Sequence, residues 1–482
     1  MPRLRFSSRE QPMDPKIWEP RAILGKSLAL IEKTAAGLDH LDHWNFPTDS
    51  SDAARKLLLQ TLQTLETPAK LVPMDPSVLY NRLFSIQALA ELVARSSTHH
   101  ISWPLVSYCD QIWHTLFGDT GPKIFYSLTP EHNYSILRFS AMLGRHLNGL
   151  LPNADISALL RDNDLYCLQL ASSEDYNLPL YANIGHEFGH AIFDHKEAEL
   201  RKLLAANVET ILNSIYSDLD AKDPDQATRR AKRVVWAILG FAKELFCDLV
   251  GAMLMGPSFL VSLYEISWAQ NKDTWTISLS PYDQAIRAYP SFHFRLSCIR
   301  KWSEVDSFCA DAQQASKRLG IARLIEIAEY LQGIPIRHDS DSLNVGPDSD
   351  GDSNIVKEVV TKYRTRLKQG LDAFLSECAT EMKNWYRLPL PCVSAYPVAE
   401  LLQRLEHRIL PNVIPDETLL GKPATFAAIL NACALYRLHL LADVKVESSA
   451  GLARDTAIIE RLTAKAFEVS FIQTKYNNWS GT

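Results

Sequence analysis

Apolar residues recur at three- and four-residue steps from Ile17 to Leu150, in stretches such as ARKLLLQTLQTL and LFSIQALAELVA, and that period predicts helices. Proline breaks at Phe46-Pro47, Thr67-Pro68 and Met74-Asp75-Pro76 separate them, giving a helical N-terminal region over 1–122. The texture changes between Lys123 and Ser172. There KIFYSLT and DLYCLQLAS are short, aromatic and alternating, which favours strands. A helix is then expected from near Pro179, a residue suited to a first turn, through PLYANIGHEFGHAIFDH. Helix continues to about Pro257, interrupted by the turn DAKDPDQ. The segment NKDTWTISLSPYDQAIRAYP reads as loop or short strand, and helix resumes around Phe292.

Beyond Trp302 the pattern is again helical, apart from His338 to Asn354. That segment has five aspartates, four serines and two glycines with no basic residue, and it reads as a solvated loop or linker. Its Asp348, Asp350 and Asp352 alternate as in calcium-binding loops. However, the sixth position is Ser353 instead of glycine and the twelfth is Val359 instead of glutamate, so loop remains the reading. The expected divisions are therefore 1–122, 123–302 and 303–482, in a mainly α chain with a small β-sheet, an α+β fold.

The chain has 482 residues, enough for two or three domains, and 46% hydrophobic against 22% charged residues is globular composition. With a net charge of −6 and no basic run interleaved with aromatics, nucleic acid is not an expected partner. The one basic cluster, Arg229, Arg230, Lys232 and Arg233, reads as a solvated helix face. The eight cysteines (Cys109, Cys167, Cys247, Cys298, Cys309, Cys378, Cys392 and Cys433) show no CxxC pair and read as reduced core thiols. The first residues lack an apolar run, and no later stretch reaches about 18 uncharged apolar residues. A soluble cytoplasmic protein without a membrane partner is expected.

Chemistry concentrates at His186-Glu187-Phe188-Gly189-His190, an HExxH sequence. On a helix the two histidines project from one face a turn apart, where two neutral imidazoles can share a tetrahedral zinc ion. Glu187 is then placed as the base that deprotonates a water. Two histidines do not complete such a site, so a third ligand is required. His195 follows too closely, with no intervening glycine, for the metzincin spacing. It reads instead as a helix-terminal histidine at the negative end of the dipole.

Glu244, in AKELFCDLVGAMLMGPSF, lies on a second apolar-periodic helix with Asp248 four residues later on the same face. Together with Gly251, Leu254 and Pro257, this segment resembles the gluzincin clan of zinc peptidases. The resemblance implies Glu244 as third ligand to one zinc ion per chain. It also implies Asp248 as the acceptor of a ligand histidine's free ring N–H. Cys247 beside them reads as a packed thiol. Tyr289-Pro290-Ser291-Phe292-His293-Phe294-Arg295 resembles the segment that follows the third ligand in the CAAX-prenyl and heat-shock endopeptidase family. Tyr289 stands where that family has histidine, so Tyr289 or His293 is implied as the oxyanion donor and Arg295 as a brace.

The Glu244 helix is also similar to that of ImmA/IrrE-type peptidases, which lack the long insertion supplied here by Lys196 to Lys243. These resemblances, covering roughly Asp164 to Trp302, imply a zincin-like central domain that hydrolyses a peptide or protein substrate. The substrate is expected as an extended chain along an edge strand at Leu165–Ser172. The alternative is a regulatory or partner-binding protein that keeps the same fold as a sensor or scaffold.

Overall fold

The computed structural model describes residues 15–41, 46–66, 75–96, 103–129, 134–161, 163–171, 178–222, 224–270, 274–279, 286–302, 305–319, 323–333, 343–345, 352–386, 395–415, 421–442 and 449–480. The expected α+β class is what is found: mostly helix, with small open sheets. The chain divides into two compact units, Met1–Ser172 and Ser173–Thr482.

The first unit contains α1 (Pro15–Asp39), α2 (Asp49–Leu65), α3 (Pro76–Ala94), α4 (Trp103–Phe117), β1 (Lys123–Thr129), β2 (Ser135–Arg138), α5 (Phe139–Leu147), α6 (Asn153–Leu160) and β3 (Leu165–Ala171). Thr48 caps α2 by accepting the Ser51 N–H at 3.3 Å. Asp75 caps α3 ahead of Pro76, accepting the Ser77 N–H at 2.7 Å, so the expected breaks are also helix starts. One apolar core joins Leu58, Leu62, Ile86 and Val93 of the helices to Phe125, Leu165 and Cys167 of the strands. This shared core joins the strands to the N-terminal helices, whereas the expected boundary at 122/123 would separate them.

The sheet corrects one expectation. Its order is β1-β3-β2, with β3 parallel to β1 from Lys123↔Leu165 to Thr129↔Ala171 and antiparallel to β2. Leu165–Ala171 is therefore a central strand. Both rows of its backbone groups face other strands, and a peptide cannot be added there; the edges are β1 and β2.

The second unit opens with a 3₁₀ turn, Leu178–Asn183, so the α-helix expected from Pro179 begins only at Ile184. Its elements are α7 (Ile184–His195), α8 (Glu197–Lys222), α9 (Pro224–Met255), α10 (Pro257–Gln270), β4 (Trp275–Leu279), β5 (Ile286–Tyr289), α11 (Phe292–Arg300), α12 (Val305–Leu319), α13 (Arg323–Gln332), β6 (Leu343–Val345), α14 (Asp352–Trp385), α15 (Ala395–Glu406), β7 (Val413–Ile414), β8 (Lys422–Pro423), α16 (Phe426–Ala442) and α17 (Ser449–Ser480). The second sheet has the order β5-β4-β6. Part of the expected acidic loop is thus strand β6, parallel to β4, and Asp352 already belongs to α14. Asp348 and Asp350 lie outside the described residues.

Gly256, at φ 64°, ends α9, and Pro257 starts α10. The fully buried Asn431 of α16 ties this break together. Its Oδ1 accepts the Ser258 N–H at 2.7 Å and its Nδ2 donates to the Met255 carbonyl at 2.9 Å. No helix of the described residues is long and apolar enough to cross a membrane. The seven described cysteines are free and buried, as expected, and Cys392 lies outside the described residues.

Candidate metal centre

The site is built by the approach of α7 to α9. A Cβ on Gly189 would fall 2.5 Å from Cys247 Cα, and one on Gly185 would fall 3.0 Å from Gly251 Cα. Glycine at both α7 positions lets the two backbones come closer than any side chain would permit. His186 and His190 follow these glycines by one residue each, and Glu244 and Asp248 sit a turn apart on the opposing helix. The contact is closed below by apolar packing, Phe193 on Phe246 with ring centroids 5.7 Å apart, and by Lys243, which donates to Asp194 at 2.8 Å.

The two imidazoles lie edge to face with centroids 4.9 Å apart. His186 Nε2 is 3.6 Å from Glu244 Oε2, and His190 Nε2 is 3.9 Å from Glu244 Oε1. The other ring nitrogen of His186, Nδ1, is 2.8 Å from Asp248 Oδ1. Asp248, fully buried, also receives a fork from Arg295: Nε donates to Oδ2 and Nη2 to Oδ1, both at 2.7 Å. Arg295 lies over the Phe292 ring at 4.9 Å. His186, Glu187 and Asp248 are buried, whereas the His190 side chain keeps 22% of its exposure, which makes His190 the more solvent-accessible of the two imidazoles.

The charges follow from this arrangement. Burial opposes an imidazolium at His186, but the Asp248 hydrogen bond and the neighbouring carboxylates outweigh it and raise this histidine to about 10. Burial, reinforced by the His186 charge, pushes His190 down to about 3. Without an ion these surroundings favour the charged form at His186 and the neutral form at His190. Burial also works against the Glu244 and Asp248 carboxylates. His186 nevertheless holds Glu244 below the ordinary carboxylate range, and Arg295, with His186, does so for Asp248.

One ligand atom from each of His186, His190 and Cys247 lies within 4.8 Å of the others, a buried cluster able to hold one metal ion. Cys247, read from sequence as a packed thiol, is indeed fully buried, but it is packed against the metal-binding face. The available signal was its spacing, three residues after Glu244 and so on the same face of α9. The Nε2-to-carboxylate separations of 3.6 and 3.9 Å exceed hydrogen-bond contact. They approach the ~3.4 Å between neighbouring donors around a tetrahedral ion with bonds of about 2.0–2.1 Å. The donor set thus fits such an ion.

Of the remaining sequence candidates, Arg295 is joined to this core by side-chain contacts, through its fork to Asp248. Tyr289 ends β5 and is 40% exposed, while His293 is buried in the first turn of α11. His195 is the exposed last residue of α7, as expected for a helix-terminal histidine. No family model, curated protein or solved structure matches the chain.

Proposed function

We propose that this protein is a zinc-dependent peptidase in which His186, His190 and Glu244 hold one zinc ion and Glu187 is the general base. The observation that carries this reading is the convergence of two Nε2 atoms on the two oxygens of one carboxylate, with the second nitrogen of His186 committed to Asp248. When bound, the ion supplies Lewis acidity, making a peptide carbonyl more electrophilic and a water more acidic. Glu187 takes the proton from the attacking water and delivers it to the leaving nitrogen. Asp248 fixes the His186 tautomer with Nε2 free to ligate, and Arg295 keeps Asp248 ionised and in place. Tyr289 or His293 donates a hydrogen bond to the developing oxyanion. The substrate is a peptide or protein segment. The protein works in the cytoplasm, where buried free thiols such as these stay reduced.

Elemental analysis of the purified protein, followed by peptide-library cleavage with and without a chelator, tests the proposal. One zinc per chain and chelator-sensitive cleavage are expected. Glu187→Gln should retain the zinc and lose roughly 10²–10⁴-fold in hydrolysis. Stoichiometric metal with no cleavage of any peptide would instead make the chain a sensor or scaffold.

A further inference from the structure

We propose that Cys247 is a further donor to the ion, and that in the resting protein its sulfur closes the position hydrolysis needs open. This rests on the peptidase reading above and adds to it a self-blocked ground state. Three observations converge on the thiol. Its ligand atom lies within 4.8 Å of those of His186 and His190. It shares the α9 face with Glu244 and Asp248, three residues after one and adjacent to the other, so the helix that brings the carboxylate brings the sulfur too. Its Cα and Cβ pack closely against Gly189, the residue that precedes His190, so the base of the side chain sits where α7 and α9 meet.

The thiol is fully buried and free, so neither a disulfide nor solvent competes for it. Sulfur is a strong zinc donor, and two histidines, one glutamate and one cysteine would together leave no open position on a four-coordinate zinc ion. With an ion bound, the thiol would ligate as thiolate, its proton passing to water at the more accessible His190 side of the site with no change of oxidation state, and it would take a proton back from water there when released. Substrate binding is the event that offers a replacement donor, its carbonyl oxygen.

X-ray absorption of the zinc-loaded full-length protein tests this without any variant. One sulfur neighbour at ~2.3 Å is expected; a shell of nitrogen and oxygen alone would overturn the proposal while leaving the His186–His190–Glu244 reading intact. Absence of stoichiometric zinc would instead sink the peptidase reading itself. With cobalt in place of zinc, the wild type should show a near-ultraviolet sulfur-to-cobalt charge-transfer band. Cys247→Ala and Cys247→Ser should lose that band while still binding one ion. At equal metal loading Cys247→Ala should cleave peptides faster than the wild type, and equal or slower cleavage would count against the closed resting state.

Discussion

Among the described residues of the second unit, a buried charged cluster around Asp248 contrasts with a half-buried one around Arg437, and only the first includes imidazoles able to hold a metal ion. Around Asp248, an arginine fork at 2.7 Å and an imidazole at 2.8 Å use both carboxylate oxygens. Between α10, α16 and α17, Arg437 instead makes single contacts, to Glu265 at 3.3 Å and Glu460 at 3.1 Å. The carboxylates respond oppositely. Asp248 is held below its ordinary range, whereas burial, only partly offset by Arg437, raises both Glu265 and Glu460. A buried acid stays ionised when each oxygen is bonded, and it drifts toward neutrality when one cation is shared between two acids. The first cluster adds two imidazole lone pairs, which an arginine lacks, and this is what separates a metal site from a structural ion pair.

Metal content is where the two should differ most. His186→Ala and His190→Ala are each expected to abolish stoichiometric zinc, and Glu244→Ala to weaken it severely, whereas Arg437→Met should leave one ion per chain. Full zinc affinity in Glu244→Ala would overturn the third-ligand assignment, with Cys247 the remaining donor. Asp248→Asn should fall between these, at roughly 10–100-fold weaker affinity, because the ligand imidazole loses its orienting acceptor.

Stability should separate them next. Arg295→Ala leaves the Asp248 charge buried beside a histidine alone and is expected to cost about 3–5 kcal/mol in urea unfolding of the metal-free protein. Arg437→Ala breaks single contacts to side chains that retain 14–18% exposure, and should cost less, roughly 1.5–3 kcal/mol. Equal costs would mean that the fork around Asp248 adds nothing to an ordinary pair.

Gly189→Ala probes the helix contact without touching a charge. The new methyl would meet Cys247 Cα at 2.5 Å, so α7 and α9 must separate. Overpacking of this kind costs typically about 1–3 kcal/mol. Separation should also weaken zinc binding, since Glu244 retreats with α9, while the Arg437 cluster is unaffected. Unchanged affinity would show that side-chain adjustment, not backbone proximity, sets the donor geometry.

Much of the first cluster was legible in sequence because its parts are local. His186, Glu187 and His190 fall within one helical turn, and Glu244 and Asp248 within another. What joined the two turns was resemblance, since spacing alone cannot bring residues on separate helices together. The nearness of Cys247 to the two histidines was hidden for a related reason: a buried cysteine in an apolar helix looks the same whether it lies beside leucine or histidine. The Arg437 cluster went unread because its members come from three helices, one of them distant in the chain, and each resembles a surface charge. The identity of β1 and β3 was legible from alternation, but β2 and β6 were not read, and neither was strand order. Placing β3 between β1 and β2 depends on pairings that no single segment encodes. The same limit hid Asn431, a polar residue in an apolar helix, whose partners lie at the distant break after α9.

Acid titration of the metal-free protein should give the smallest effect, and the two clusters should enter it with opposite sign. Asp248 has a folded value below its unfolded value of about 3.9, so the unfolded chain binds more protons between the two. Its contribution is therefore present above that pH and lost as pH falls through the lower, folded value. Glu265 and Glu460 lie above their unfolded value of about 4.3, so the folded chain binds the extra proton. They destabilise the protein as pH rises through that window, and the loss persists above it. Unfolding free energies measured in urea from pH 3 upward should then show Glu265→Gln flattening the fall on the upper side. Asp248→Asn should remove the rise on the lower side. If both variants flattened the same limb, the two clusters would not be electrostatically distinct, and the division between a poised site and a plain ion pair would have to be abandoned.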